Sequence, residues 1–218
     1  MRKVKYWIVP LLVFTALIFL VLFHYGKNDE KETVYTVNSQ QWQEALGDEA
    51  HIQMIYRNVT IEIFGGENEG RMILATAGGG LMLDNEAQDM KLICVPSGND
   101  FVSYLYQYST EKWKRYDGKT DDIDLFLNSY LPGYVDTAMG GLQGVFEDAQ
   151  YDAAAQCYII TLQKSAASAT DSTQMHCRVF FENGQLSRLE TEIVSQNTTQ
   201  TLKLYNIGNT KVEAPVVG

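Results

Sequence analysis

Residues 175–194 read MHCRVFFENGQLSRLETEIV, and their pattern is that of a β-hairpin. Apolar and polar side chains alternate on both sides of Asn183-Gly184, the kind of dipeptide most typical of a tight hairpin turn. A two-residue loop would place Leu189 opposite Arg178, whereas a three-residue loop over residues 182–184 keeps odd positions opposite odd positions. We predict the three-residue loop, because it sorts the hairpin into one apolar face and one polar face.

This register gives each face of the hairpin its own composition. The apolar face holds Met175, Cys177, Val179, Phe181, Leu189 and Ile193. The polar face holds His176, Arg178, Glu190 and Glu192. Because opposite charges on paired strands stabilise a solvent-exposed face, we expect the apolar face to lie in the core.

Further strands with the same period of two flank the hairpin in both directions. Breaks rich in Gly or Pro at 65–66, 78–80 and 96–98 separate several of them, as turns separate the strands of a meander. The predicted strands cover residues 72–75, 81–83, 90–95, 101–108, 157–163, 175–182, 186–194 and 201–205. The pattern predicts an antiparallel meander that is interrupted near its middle.

A short helix is predicted before the strands, capped by Ser39 and ended near Gly47. Apolar positions recur with a period of two from His51 onward, but the set at 52, 54 and 56 has the opposite parity to the set at 59, 61 and 63. We interpret this change of phase near Arg57 and Asn58 as a bulge in one long strand.

The segment that interrupts the meander has apolar residues at helical spacing. Its first apolar residues recur at intervals of three and four behind acidic residues, which favour a helix start. These apolar residues are Ile123, Phe126, Leu127 and Tyr130. Pro132 is predicted to end this helix, and a second apolar stripe over 135–146 predicts another helix, loosened by its glycines.

The first 26 residues, MRKVKYWIVPLLVFTALIFLVLFHYG, predict a membrane anchor. The uncharged apolar run from residue 6 to residue 23 spans roughly 27 Å as a helix, close to the thickness of a bilayer's hydrocarbon core. Arg2, Lys3 and Lys5 precede the run, which places the N-terminus in the cytoplasm. An inefficiently cleaved signal peptide and a buried core helix are the alternatives.

The chain therefore divides into a basic tip and anchor at 1–26, a tether at 27–36 and an extracytoplasmic domain at 37–218. The part beyond the anchor has about 190 residues, enough for one domain. The chain has 17 Lys and Arg against 27 Asp and Glu, a net charge of −10. Because this charge repels nucleic acid, we expect no nucleic acid as a partner. Through the anchor, we expect the membrane as a partner.

Three short sequence segments, in this order of elements, resemble those of a known superfamily. They are YLYQY at 104–108 followed by KW at 112–113, FENGQL at 181–186, and the closing YNIGNTKVEAP at 205–215. Over 37–215 the chain resembles the LolA, LppX and RseB superfamily of envelope proteins. Together with the anchor, the resemblance predicts an α+β fold: an N-terminal transmembrane helix followed by a mainly antiparallel β half-barrel covered by short helices.

In that superfamily the concave face of the half-barrel commonly holds acyl chains or a lipoprotein, and some members act as stress sensors. The resemblance therefore implies a lipid or an envelope protein as a partner. No cysteine follows the apolar run to carry a lipid modification, and a soluble carrier would not keep an anchor. We expect a tethered module rather than a shuttle that crosses the envelope.

No residue pattern in the chain is typical of catalysis or metal binding. Cys157 and His176 show no orienting third group, which a nucleophile and its base require. The acids at 121–124 favour a helix start over a calcium site, since no EF-hand glycine pattern follows, and the three histidines are too scattered for zinc. We predict no catalytic residue, no metal, no cofactor and no enzyme activity.

Cys157 and Cys177 lie on neighbouring predicted strands. They either form a cross-strand disulfide or remain two buried thiols.

Two sets of apolar residues are candidates for ligand contact. The strand set is Tyr104, Tyr106 and Tyr108. The helix set is Leu125, Phe126, Met139 and Leu142. The strand set either lines a sugar or lipid surface or packs beneath a helix, and the helix set either fills the core or forms the lid of a cavity.

Two functions follow from these alternatives. The first is a membrane-anchored extracytoplasmic binding module that presents an apolar groove to a lipid or lipoprotein segment. The second is a protein-interaction or sensor domain whose filled interior serves as a scaffold.

Overall fold

A computed structural model describes residues 36–65, 70–118, 126–165, 172–195 and 198–216. In these ranges eleven strands form one antiparallel sheet in the order β6-β5-β4-β3-β2-β1-β11-β10-β9-β8-β7. The strands are β1 Val59–Gly65, β2 Arg71–Ala77, β3 Gly80–Asn85, β4 Met90–Ser97, β5 Asp100–Gln107, β6 Lys112–Gly118, β7 Gln150–Asp152, β8 Cys157–Ser165, β9 Ser172–Glu182, β10 Gln185–Val194 and β11 Thr199–Tyr205. The predicted antiparallel meander is present. β1 is the second half of the strand predicted over residues 51–63, and β6 and β7 are strands that the periodicity did not predict.

Three α-helices accompany the sheet in the described ranges. They are α1 Ser39–Gly47, α2 Glu49–Arg57 and α3 Leu131–Met139. A π-helical turn at Phe126–Tyr130 leads directly into α3, and 3-10 turns lie at Glu86–Gln88, Leu142–Gly144 and Phe146–Asp148.

The helix α1 lies where the sequence predicts it, but its cap is one residue earlier. The Asn38 side chain accepts a hydrogen bond from the Gln41 backbone N–H at 2.9 Å, and the Asn38 N–H donates to Gln41 Oε1 at 2.9 Å. This reciprocal pair is a capping box, which satisfies two donors at the start of the helix.

The prediction of one long bulged strand from residue 51 to residue 63 is wrong. Its first half is the helix α2, which Asp48 caps by accepting a hydrogen bond from the Ala50 N–H at 2.9 Å. Ile52 and Tyr56 of the alternating set lie four residues apart, and together with Ile55 they also fit one face of a helix. The change of phase at Asn58 is the boundary between helix and strand.

The prediction that Pro132 ends a helix is also wrong, because it lies in the first turn of α3. Proline is tolerated there since its missing N–H would have no helical partner in any case. The predicted second helix from 135 to 146 ends as an α-helix at Met139, before Gly140 and Gly141, and continues only as 3-10 turns.

One transverse row of paired residues crosses the whole sheet on the face that the helices cover. We call it the core row. It consists of Tyr151, Tyr158, Val179, Leu189, Leu204, Ile61, Leu74, Leu83, Leu92, Leu105 and Lys114. All but the last are apolar or aromatic, so the alternation in each strand places its apolar set on one common face.

The hairpin of β9 and β10 has the predicted faces but a different turn. Glu182 pairs with Gln185, so the loop is only Asn183-Gly184, with positive φ values of 53° and 77°. A register shift between Leu186 and Arg188 then restores odd-to-odd pairing, and Leu189 lies opposite Val179. A two-residue turn plus a bulge thus produces the parity that we attributed to a three-residue loop.

The predicted fold class is wrong. The sheet is open, because β6 and β7 lie at opposite ends of the strand order and are not paired with each other, so it is not the expected half-barrel. None of the helices in the described ranges combines the length and apolar composition that a membrane-spanning segment needs. The anchor at 1–26 and nearly all of the tether lie outside the described residues.

The core is packed around Trp42 of α1. Its side chain is fully buried, and its indole N–H donates to the Leu142 carbonyl oxygen at 2.8 Å. Its ring contacts those of Phe146, Tyr158 and Phe181, with centroids 5.7, 5.3 and 5.4 Å away. Such edge and tilted contacts add to the free energy of burying apolar area.

The segment after β11 crosses the other face of the sheet, which we call the outer face. Thr210 Oγ1 lies 3.0 Å from Thr60 Oγ1, and the Thr210 N–H donates to Asn58 Oδ1 at 2.7 Å. A Cβ built on Gly80 would lie 3.2 Å from the Val212 side chain. The segment therefore covers the outer face at the ends of β1 and β3.

We expect Trp42→Ala to lower the free energy of unfolding by about 3–5 kcal/mol, because it leaves a large cavity in the core. Urea unfolding followed by far-UV circular dichroism measures this change. Tyr130→Ala is the matched control, since Tyr130 is 56% exposed and its loss should cost less than about 0.5 kcal/mol. Equal losses in the two variants would contradict the packing described for Trp42.

Candidate functional site

The helix set of candidate ligand residues lies in the core. Leu142 is fully buried beneath Trp42, and Phe126 and Met139 are half-buried and pack against the same core. Leu125 lies outside the described residues. The three described members thus help to fill the space between helices and sheet.

Large side chains fill the space between the helices and the sheet, where a cavity with a helical lid was one of the two alternatives. Trp42, Tyr158 and Leu142 are each fully buried there. Two grooves of about 740 Å³ and about 660 Å³ open to solvent, and the second lies between α2, α3 and the β2–β3 turn, where Tyr56, Pro132 and Gly78 help to line it. The first is lined largely by charged and polar residues, among them Glu62, Glu190 and Lys203, which do not suit an acyl chain.

The strand set lies on the outer face, away from the helices. Tyr104 pairs with Ile93 and Tyr106 with Lys91, and both partners alternate with the core-facing Leu92. The alternative that the tyrosines pack beneath a helix is therefore wrong. The structure does not bring the strand set and the helix set together, because the sheet separates them.

The strand set forms a cluster with a tryptophan from the neighbouring strand. We call Tyr104, Tyr106, Tyr108 and Trp113 the aromatic patch. The Tyr106 ring lies 5.1 Å from that of Trp113, to which it is directly paired, and 5.1 Å from that of Tyr108. All four side chains are half-buried, so each keeps part of its ring in solvent.

The β5–β6 turn and two charged residues hold the patch in place. A four-residue loop, 108–111, joins β5 to β6, and its last residue, Glu111, has a φ of 54°. The Tyr108 hydroxyl donates to Asp84 Oδ1 at 2.6 Å. The other Asp84 oxygen lies 2.9 Å from Lys91 Nζ. Burial and the Asp84 contact raise the pKa of Tyr108 to about 12.

The rest of the outer face has a different character. The row parallel to the core row on this face is Gln150, Ile159, Arg178, Glu190, Lys203, Glu62, Ile73, Asp84, Lys91, Tyr106 and Trp113. Charges alternate in sign from β9 to β1, as expected of a hydrated surface. Aromatic side chains replace them at β5 and β6, which sets the aromatic patch apart.

The sequence identified three of the four patch residues but not Trp113. The alternation of Trp113, Arg115 and Asp117 with Lys112, Lys114 and Tyr116 is too polar to mark a buried strand. A recognisable signal was the tight spacing between YLYQY at 104–108 and KW at 112–113, which suits a hairpin with a four-residue loop.

Of the two alternatives for Cys157 and Cys177, the structure has the buried thiols and not the cross-strand disulfide, since Cys94, Cys157 and Cys177 are free. The register explains this result. Cys177 pairs with Ile160 and faces the helices, whereas Cys157 precedes the core-facing Tyr158 and points to the outer face. Side chains on opposite faces of a sheet cannot meet the geometry of a disulfide.

Cys157 and His176 are too far apart to act as a nucleophile and its base. His176 pairs with Thr161, four positions beyond Cys157 on β8, which corresponds to about 13 Å along the strand. The His176 Nδ1 atom lies 3.2 Å from the Thr161 hydroxyl oxygen instead. Burial also raises the pKa of the Cys157 thiol, which disfavours the reactive thiolate.

In the part of the chain that the structure describes, no three His, Cys, Asp or Glu side chains come together as a metal site. The acidic cluster at 121–124 lies outside that part.

Comparison with known proteins adds no relative, since neither the protein-family models nor the curated proteins include a match to this sequence.

Alkylation should confirm the free thiols. Burial raises the pKa of all three, so we expect slow reaction with iodoacetamide in the folded protein. In denaturant without reductant, intact mass spectrometry should show three added carbamidomethyl groups. A product with one group, converted to three only after reduction, would contradict the structure.

The hydrogen bond between Tyr108 and Asp84 predicts a dependence of stability on alkaline pH. The folded-state pKa of Tyr108 is about 12, above the ordinary value of about 10. The contribution of this hydrogen bond to the free energy of unfolding is therefore complete below about pH 10, and it is lost as the pH rises toward about 12. Urea unfolding at about pH 8 and about pH 11 should show a smaller loss of stability in Tyr108→Phe than in the wild type. Equal losses would contradict the hydrogen bond.

Proposed function

We propose that this protein is an extracytoplasmic protein-interaction module that binds a partner protein through the aromatic patch. The filled core supports a scaffold rather than a container for a small ligand. The observation that carries the proposal is a cluster of half-buried aromatic rings at one end of the outer face, beyond the strands whose paired charges alternate in sign. Tyr106 contacts Tyr108 and Trp113, and Tyr104 lies two residues away on the same face.

Aromatic clusters of this kind are typical of protein interfaces. Tyr and Trp are enriched there because they offer large contact areas with few rotatable bonds. Tyr106 and Trp113 are held by each other and by the paired strands β5 and β6, so binding would cost little side-chain entropy. Arg115 and Asp117, which are exposed and 2.9 Å apart, provide a polar rim beside the rings.

The interior supports a scaffold more than a lipid carrier. Trp42 and Tyr158 fill the space beneath the helices, and Thr191 of β10 donates a hydrogen bond to the Ala138 carbonyl oxygen of α3 at 2.8 Å. An acyl chain would have to displace these contacts. Lipid binding is therefore an outcome of the experiment below and not our proposal.

The place of action is proposed from the sequence alone. The apolar stretch from residue 6 to residue 23, behind Arg2, Lys3 and Lys5, would hold the domain at the extracytoplasmic surface of its membrane. The tether at 27–36 spans at most about 35 Å when extended. The partner would then be a protein at that surface, in keeping with the envelope proteins that the chain resembles.

Site-specific photo-crosslinking in the full chain tests the proposal. A benzophenone amino acid at position 113 should give a discrete protein adduct, because Trp113 lies in the patch. The same probe at position 130 is the control, since Tyr130 is an exposed aromatic residue outside the patch. Tyr106→Ala should weaken the adduct at position 113 at least severalfold, and Tyr130→Ala should leave it unchanged.

Native mass spectrometry of the detergent-solubilised protein distinguishes the two kinds of partner. We expect a bound protein and no retained lipid. A stoichiometric lipid, or equal adducts at positions 113 and 130, would overturn the proposal.

A further inference from the structure

The strand β6 has a long edge without a partner in the described residues. It is the last strand of the sheet, and it pairs with β5 on one side only, from Lys112 to Gly118. No backbone hydrogen bond joins its outer edge to a described loop. The opposite end of the sheet is shorter, because β7 has only three residues. The unpaired N–H and C=O groups of such an edge can bind another extended chain.

The edge carries positive charge although the chain is acidic. Lys112, Lys114 and Arg115 outnumber the one acid in the strand, Asp117, whereas the whole chain has a net charge of −10. Lys112 and Lys114 are exposed and form no ion pair with a described residue. Both lie on the helix side of the sheet, since Lys114 ends the core row and Lys112 is two positions away.

The charges oppose pairing between two copies of β6. If two copies of β6 paired antiparallel about their centres, Lys114 or Arg115 of one copy would lie opposite Lys114 or Arg115 of the other. Like charges in paired positions are destabilising. Lysines commonly protect an edge from aggregation in this way. Here, however, Tyr116 is 51% exposed and Trp113 belongs to the aromatic patch, so the edge also offers apolar area to a partner of opposite charge.

We propose that β6 binds an acidic extended segment of the partner protein as a twelfth strand. The inference rests on the proposed function, since it names the partner's chemistry. Acidic side chains of that segment face Lys112 and Lys114 on one side of the sheet. Because strand side chains alternate between faces, its intervening apolar side chains lie beside Trp113 on the outer face. The recognised sequence therefore alternates Asp or Glu with apolar residues.

A defined peptide tests this pairing on the full chain in detergent. The probe is a fluorescent eight-residue peptide that alternates Glu and Val, and anisotropy at low salt measures its affinity. In K112E/K114E we expect the affinity to fall by at least about tenfold, because two attractive pairs become repulsive. The control R57E/K211E has the same net charge and reverses two exposed cations elsewhere, and we expect it to bind like the wild type.

Two further measurements sharpen the test. Amide hydrogen exchange should slow in residues 112–118 when the Glu-Val peptide is bound. A peptide that alternates Lys and Val should bind K112E/K114E more tightly than the wild type. Equal affinity in the two double variants, or protection at another site, would overturn the inference.

The two proposals fail separately. If the Glu-Val peptide does not bind but the adduct at position 113 persists, the partner uses the patch without adding a strand. If neither is seen, the interaction function fails as well.

Discussion

A wide sheet with few helices to cover it is the constraint on which the structure depends. Eleven strands at about 4.8 Å spacing make a sheet roughly 48 Å wide, whereas each of the three α-helices has nine residues and is about 13.5 Å long. The helices contact β2, β10 and β11. The core beneath the helices is packed around Trp42 and Tyr158. The Tyr158 hydroxyl also forms hydrogen bonds with the Val37 backbone, which positions the chain as it enters α1.

The uneven cover is the reason that we place the proposed partner at β5 and β6. Around β9, β10, β11 and β1 the helix side is buried. The outer face there carries alternating charges, with Phe64 and Ile159 as the exposed large apolar side chains among them. At β5 and β6 the described side chains are half-buried or exposed on both faces, apart from the buried Ser103. The aromatic patch and the cationic edge of β6 are therefore adjacent parts of one surface, where ring contact and backbone pairing can act together.

Alternation along a strand specifies which side chains share a face, but not the turn geometry that brings them there. Alternation predicted the faces of β9 and β10 correctly, because core burial specifies parity strongly. It did not reveal that a bulge beside Leu186 compensates for the two-residue turn, since both solutions bury the same side chains. For residues 51–57 alternation was misleading, because Ile52 and Tyr56 fit a helix as well as a strand. Ile55, which the alternating set left out, is the fully buried residue of α2.

By itself, the sequence determined most of the antiparallel strands, which of their side chains share a face, and the stripe of tyrosines at 104, 106 and 108, because these depend on local alternation. Only the tertiary structure decided that the sheet stays open, that Cys157 and Cys177 lie on opposite faces, and that Trp113 joins the tyrosines on the face without helices. The physical reason is that alternation separates the side chains of a strand into two faces but does not show which face packs against the helices. Which face the helices cover depends on contacts between residues far apart in the chain, such as Trp42 with Leu142.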